Sequence, residues 1–245
     1  MRIGIISDIH ANLAALETVL EELETKNIDE YVCLGDVVGY GASPNECCNI
    51  VKNLARLTIM GNHDAAVAGK MDYSYYYDQA KQALDWTVEV LSEENIKWLQ
   101  TLPYIQNEED TNVCFSHGSP MNPSEFNYIF NMEQANEAYQ HREDLLQVTF
   151  IGHSHLCRIF SFDNDGVVQM VPGLIELDPG KQYIISVGSV GQPRDYDPRA
   201  AYAIFDTESR TFEQYRVEYE IALSAKRIYD ARLPDAFGKR LFVGI

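Results

Sequence analysis

The chain has 245 residues, enough for one domain with a sizeable core, and 46% of them are hydrophobic, as in ordinary globular proteins. Lys and Arg number 19 against 37 Asp and Glu, giving a net charge of −18. That balance argues against long nucleic acid or an anionic membrane surface as a partner, yet leaves room for a small phosphate ester, which needs only a local positive site.

In chain order, Arg2 to Ser7 is an apolar run suited to a strand buried on both faces. Leu13, Leu16, Leu20 and Leu23 then recur at helical spacing. Tyr31 to Leu34 and Leu57 to Met60 read as further buried strands. Between them Pro44 to Leu54 reads as a helix, with Ser43 as its cap and Pro44 in its first turn. Strand alternating with helix is the pattern of a parallel α/β core. Tyr75 to Gln100 is helical in two pieces, the first ended by Leu91 and the second capped by Ser92, with Glu93 and Glu94 in its first turn.

After Pro103 the periodicity shortens. Val113 to Ser116 and Val148 to Ile151 are expected as core strands, and Ile159 to Phe162 and Val167 to Val171 as a hairpin about Asn164-Asp165-Gly166. Tyr183 to Val187, Ala201 to Phe205 and Thr211 to Val217 continue the strand-rich half, and Glu220 to Arg232 returns to helix. The expectation is one domain over residues 1–245, with a helical cap insertion around residues 120–142. The start, Met1 to Asp8, does not read as a signal peptide, and no run reaches the ~18 apolar residues of a membrane span. The cysteines Cys33, Cys47, Cys48, Cys114 and Cys157 fit neither a zinc finger nor a disulfide framework. Buried free thiols at Cys33 and Cys114, and a reduced cytoplasmic location, are expected.

Five polar motifs each follow an expected strand: Asp8-Ile-His10, Gly35-Asp36, Gly61-Asn62-His63-Asp64, His117-Gly118 and Gly152-His153-Ser-His155. Strand ends of an α/β core open onto one rim, so residues far apart in sequence converge there. Five of the six histidines fall in these motifs, and only His141, in a charged helical stretch, is expected at the surface. Alternate residues such as Asp8 and His10 can be angled round one ion, and mixed imidazole and carboxylate donors suit first-row metals. The lack of cysteine ligands argues against a structural zinc site.

This order of motifs resembles the calcineurin-like metallophosphoesterase superfamily from Ile3 to about Arg199, and Gly188-Ser-Val-Gly-Gln-Pro-Arg194 is similar to its small bacterial and archaeal phosphodiesterase branch. The resemblance implies a four-layer α/β/β/α sandwich of two mixed sheets flanked by helices. It also implies two divalent ions per chain, of manganese, iron, zinc, nickel or cobalt. Asp8, His10 and His155 would hold the first, Asn62, His117 and His153 the second, and Asp36 would bridge them. His63 would serve as proton donor or phosphate contact, oriented by Asp64. Two carboxylates and two divalent ions leave a centre of about +2, which would attract phosphate and acidify a bridging water, whose hydroxide would attack phosphorus.

The implied function is hydrolysis of phosphodiesters or phosphomonoesters of small molecules. A protein phosphatase, a dinucleoside polyphosphate hydrolase and a non-catalytic metal-binding scaffold are the alternatives. Arg194 is a candidate phosphate contact, the alternative being a surface arginine or one paired with Asp195 or Asp197. Asn12 stands where it either caps the following helix or touches substrate. The tyrosines Tyr73, Tyr75, Tyr76 and Tyr77 are expected in packing or an oligomer surface, the alternative being a pocket wall, and Phe126, Tyr128 and Phe130 in an ordinary packed insertion, the alternative being a base-stacking cap.

Overall fold

A computed structural model describes every residue from Met1 to Ile245. The first half runs β1 (Arg2–Ile6), α1 (Leu13–Glu24), β2 (Glu30–Cys33), α2 (Pro44–Leu54), β3 (Leu57–Thr58), α3 (Asn62–Val67), α4 (Asp78–Val90) and α5 (Glu93–Leu99). Then come β4 (Ile105–Glu108), β5 (Val113–Ser116), α6 (Met132–Tyr139), β6 (Val148–Ile151), β7 (Cys157–Asp163), β8 (Gly166–Met170), β9 (Leu174–Glu176), β10 (Gln182–Val187), β11 (Ala200–Asp206), β12 (Thr211–Val217), α7 (Ile221–Asp230) and α8 (Asp235–Leu241).

The strands form two six-stranded mixed sheets, in the orders β3-β2-β1-β11-β12-β9 and β4-β5-β6-β10-β7-β8. Each holds three parallel strands: β1 to β3, at one edge of the first sheet with antiparallel β11 and β12 beyond β1, and β5, β6 and β10, with antiparallel strands on both sides. The pleat sorts the side chains. Ile3 and Ile5 of β1 point between the sheets, against Phe115, Phe150 and Ile185, while Ile6 faces α1 with Leu16 and Val19. That is why β1 reads as a continuous apolar run. On the outer face of the second sheet, Ile151, Phe160, Phe162 and Ile184 meet Ala135 and Ala138 of α6. The layers are therefore α/β/β/α, with one outer layer reduced largely to α6.

Several local expectations change. The third strand stops at Thr58 rather than Met60, because the chain turns there towards α3. Ser43 occupies the N-cap of α2, but its side chain makes no capping bond; Pro44, with its fixed φ, starts that helix. Ser92 does cap α5, accepting from the Asn95 N–H at 3.2 Å. The hairpin strand β8 ends at Met170, leaving Val171 exposed. The segment expected as a helical cap divides in two: α6 covers the second sheet, and only the residues before it reach the strand-end rim. All five cysteines are free and buried. No helix is long and apolar enough to cross a membrane.

Candidate metal centre

The C-terminal ends of β1, β2, β3, β5 and β6 open onto one rim, and the turns that follow carry Asp8 and His10, Asp36, Asn62 and His63, His117, and His153 and His155. Five of these residues, Asp8, His10, Asp36, His153 and His155, have φ between 48° and 64°, the left-handed region that costs non-glycine residues roughly 1–3 kcal/mol each. Such conformations persist only where the surroundings enforce them. Gly61 and Gly152 make room for the carboxylates. A Cβ on Gly61 would strike the Asp36 side chain, and one on Gly152 would lie 2.6 Å from Asp8 Oδ2.

The donor atoms converge in two groups. Asp8, His10, Asp36 and His155 form one, and Asp36, His117 and His153 the other, each with its donor atoms within 4.8 Å of one another. Asp36 belongs to both. His10 Nε2 lies 3.0 Å from His155 Nε2 and 3.6 Å from Asp36 Oδ2; His155 Nε2 lies 3.3 Å from Asp8 Oδ1. In the second group His117 Nε2 is 3.4 Å from Asp36 Oδ2 and 3.3 Å from Asn62 Oδ1. The Asn62 amide nitrogen donates to Tyr76 Oη at 2.7 Å, which turns its oxygen inward.

Three imidazoles are fixed from behind. Nδ1 of His10 donates to the Val38 carbonyl at 3.1 Å, Nδ1 of His117 to the Leu34 carbonyl at 2.7 Å, and Nδ1 of His155 to the Gln192 carbonyl. A carbonyl only accepts, so Nδ1 carries a proton and Nε2 faces the centre, as a lone pair in neutral His10 and His155 and in His117 once its second proton leaves, the form a metal needs. Burial pushes His10, His153 and His155 well below the ordinary imidazole value, keeping them neutral. Burial pushes the Asp8 carboxyl up to about 7, whereas in Asp36 the neighbouring His117 and His63 outweigh burial and hold the carboxyl low. Burial also opposes protonation of His117, but the Asp36 and Asp8 charges prevail and lift it to about 9. Closely packed carboxylates and inward lone pairs are a donor set that divalent cations neutralise, so the residues fit metal ions.

His63 lines the cleft beside the two groups. Its Nδ1 is buried without a partner, and burial pushes it down to about 4 against the pull of Asp36. Asp64 makes no hydrogen bond to the His63 ring. Its carboxylate accepts from Val37 N (3.0 Å), Val38 N (3.2 Å) and Gly61 N (3.1 Å), tying the turn of Asp36 to the turn of His63. The expected orienting role thus becomes an indirect one, through the backbone.

The cleft above the centre holds about 680 Å³. Tyr75, Tyr76 and Tyr77 line it, the pocket-wall alternative rather than the favoured packing or oligomer surface, together with Phe126 and Tyr128, and the Tyr128 ring stacks on His153 at 3.9 Å. Arg194 lines it too. Asp195 and Asp197 are engaged by Arg216 and Arg199 instead, so Arg194 has no carboxylate partner. Asn12 does not reach the cleft. Its side-chain oxygen caps α1 at Ala15 N and accepts from Ser224 Oγ, and its nitrogen donates to the Gly191 carbonyl and Tyr219 Oη, so the amide is fully used and the substrate assignment falls away. His141 is exposed, as expected. Tyr40 and Arg240 went unsingled in the sequence because neither lies in a motif at a strand end; Gln192 lies in the segment 188–194 after β10 but carried no role of its own there.

The calcineurin-like phosphoesterase superfamily domain matches residues 1–210. An uncharacterised protein of Methanocaldococcus jannaschii is 40% identical over 99% of this chain and 98% of its own. A metallophosphoesterase from Sphaerobacter thermophilus, known by crystal structure, is 36% identical, covers 100% of this chain and 99% of its own, and superposes with a TM-score of 0.85. A hypothetical protein of Pyrococcus horikoshii, 22% identical over 100% of this chain and 98% of its own, has the same fold at a TM-score of 0.80. With the domain matched over most of its length and a relative this similar end to end, the chain belongs to the calcineurin-like phosphoesterase superfamily.

Proposed function

We propose that the chain is a two-metal phosphoesterase acting on phosphodiester or phosphomonoester bonds of small molecules. The observation that carries this reading is the set of three imidazoles whose Nε2 atoms are turned, by carbonyls behind them, towards Asp36 and Asp8. Asp8, His10 and His155 would hold one ion and Asn62, His117 and His153 the other, with Asp36 common to both. Divalent ions held there would supply Lewis acidity for phosphoryl oxygens and acidify water.

The remaining work falls to the chain's own groups. The aromatic wall excludes water from one side of the cleft, and Arg194 offers its guanidinium fork to the phosphoryl group. His63 stands at the leaving-group side as proton donor. Burial keeps it neutral, so its protonation depends on the negative charge of the bound phosphoryl group, which opposes the effect of burial. All seven candidate ligand positions and His63 are filled, which weighs against a non-catalytic scaffold. The test is turnover of an aryl phosphodiester and an aryl phosphomonoester by the purified chain with manganese. Hydrolysis of either supports the reading. Binding of two ions per chain with neither ester cleaved would overturn it in favour of a scaffold.

A further inference from the structure

Gln192 sits at the junction between the metal centre and two arginines. Its carbonyl accepts from His155 Nδ1, while its side-chain oxygen accepts from Arg194 Nη2 at 3.0 Å and from Arg240 Nη1 at 3.1 Å. Two guanidinium nitrogens on one oxygen are at most about 6 Å apart. Like charges so close repel, and a neutral amide oxygen does not cancel them. Gln192 is itself buried, so the arrangement is built in rather than a chance meeting of surface side chains.

Neither arginine has a carboxylate at ion-pair distance, although Glu125 and Asp36 line the same cleft. Asp195 and Asp197 are taken by Arg216 and Arg199, and Asp235, on the same helix as Arg240, by Lys239. Arg194 Nε is buried with no hydrogen-bond partner. In a chain with 37 acidic residues and 19 basic ones, leaving two adjacent arginines unpaired is a specific arrangement. Each guanidinium is seated over a ring, Arg194 at 5.8 Å from the centroid of Tyr40 and Arg240 at 5.6 Å from that of Phe237, and the two rings pack together at 4.7 Å. Both arginines line the same cleft as His63 and the candidate ligands. Arg194 lies over Tyr40, whose ring packs on His10 and His63 at 4.7 and 4.4 Å, whereas Arg240 lies over Phe237, one ring further from the centre.

We propose that Arg194 and Arg240, held by Gln192, form a second anion subsite, so that the preferred substrates are phosphate esters carrying a second phosphoryl group beyond the one cleaved. The inference rests on the phosphoesterase reading and narrows its substrate class. Arg194 can serve both phosphoryl groups; Arg240 serves the second alone. A single phosphoryl group at the metal centre leaves Arg240 unused.

The test compares propane-1,3-diol bisphosphate with propane-1,3-diol monophosphate at fixed free manganese, by phosphate release. The flexible linker lets the second group find its site. The readout is the ratio of the two kcat/KM values, so a general loss of activity in a variant cancels. The wild-type ratio is expected at roughly ten- to a hundredfold in favour of the bisphosphate, the worth of one or two charge-assisted hydrogen bonds. Arg240→Gln should bring it close to one, mainly through KM, and Arg240→Lys should restore part of it. A wild-type ratio near one, or a ratio unchanged in Arg240→Gln, overturns the proposal. Calorimetric binding of the same two esters separates the two readings. If neither ester is hydrolysed yet the bisphosphate binds more tightly, and loses that advantage in Arg240→Gln, the subsite stands; the phosphoesterase reading then falls only if the aryl phosphodiester is left intact as well.

Discussion

His10 and His155, 145 residues apart in the chain, bring their Nε2 atoms to 3.0 Å with both Nδ1 atoms committed to backbone carbonyls. Two lone pairs aimed at the same space repel unless a cation or a proton lies between them. Burial disfavours the proton in both rings. The pair is therefore stable chiefly with an ion bound, and folding and metal binding are coupled here.

Metal content should follow the sharing of Asp36. The wild-type chain is expected to bind two manganese ions, measured by elemental analysis after gel filtration. Asp36→Asn removes the one carboxylate common to both groups and should leave well under one ion. His155→Ala removes a donor from one group only and should leave about one. Activity in both should drop by roughly a hundredfold or more, the upper end of the loss seen even for outer-shell changes. Equal metal loss in the two variants would contradict the assignment of Asp36 as the bridge.

His63→Ala should behave in the opposite way. No donor of either group is removed, so two ions should still bind, whereas turnover should fall by roughly 10²–10⁴, the range for losing a general acid. The loss should be greatest for esters with poor leaving groups and small for an aryl ester, whose leaving oxygen needs little protonation. Retention of full turnover on an alkyl ester would refute the role.

The pH dependence of the metal-free chain should reveal His117. Its folded value, about 9, lies above the ordinary 6.5, so protonation stabilises the fold. That contribution is complete below pH 6.5 and is lost as pH rises through 9. Asp8 and Asp64, pushed up to about 7 by burial, change stability in the same direction, but only up to that value. The lowered histidines oppose it only below about 6.5. Between about pH 7 and 8.5, before unfolded cysteines ionise, His117 dominates and the melting temperature should fall. His117→Gln should flatten that slope. Metal binding near pH 7.5 must displace the Nε2 proton, so calorimetry in buffers of different ionisation enthalpy should register its release.

Much of this centre was legible in the sequence because each donor lies within a few residues of the end of an apolar run, where strand and ligand are read together. Asp8 and His10 after Ile6, and His153 and His155 after Ile151, are examples. The order of strands was not legible. β11 pairs antiparallel with β1 from about 200 residues away, and nothing in either strand's composition names its partner. The edge strands β4 and β9 escaped notice because Gln106, Asn107 and the exposed Leu174 and Glu176 break the buried pattern. Arg240 escaped for another reason: it belongs to a seven-residue helix, and its link to the centre runs through Gln192, 48 residues away. Tyr75 to Tyr77 show the limit of composition, since an aromatic cluster looks alike whether it packs inside or walls a cleft.

Asp64 offers the sharpest separation between a chemical and an architectural role. Fully buried, it accepts three backbone N–H groups, from Val37, Val38 and Gly61, and none from the His63 ring. In Asp64→Asn the amide nitrogen has to face at least one of those donors, leaving a buried N–H unsatisfied at a cost of roughly 1–3 kcal/mol. For a chain of this size that corresponds to a fall in melting temperature of roughly 2–12 °C. Because Val37 and Val38 follow Asp36 directly, and Gly61 precedes Asn62, metal affinity should fall together with stability. A variant that kept its melting temperature and both ions but lost turnover would instead assign Asp64 to the His63 ring, against the hydrogen bonds seen here.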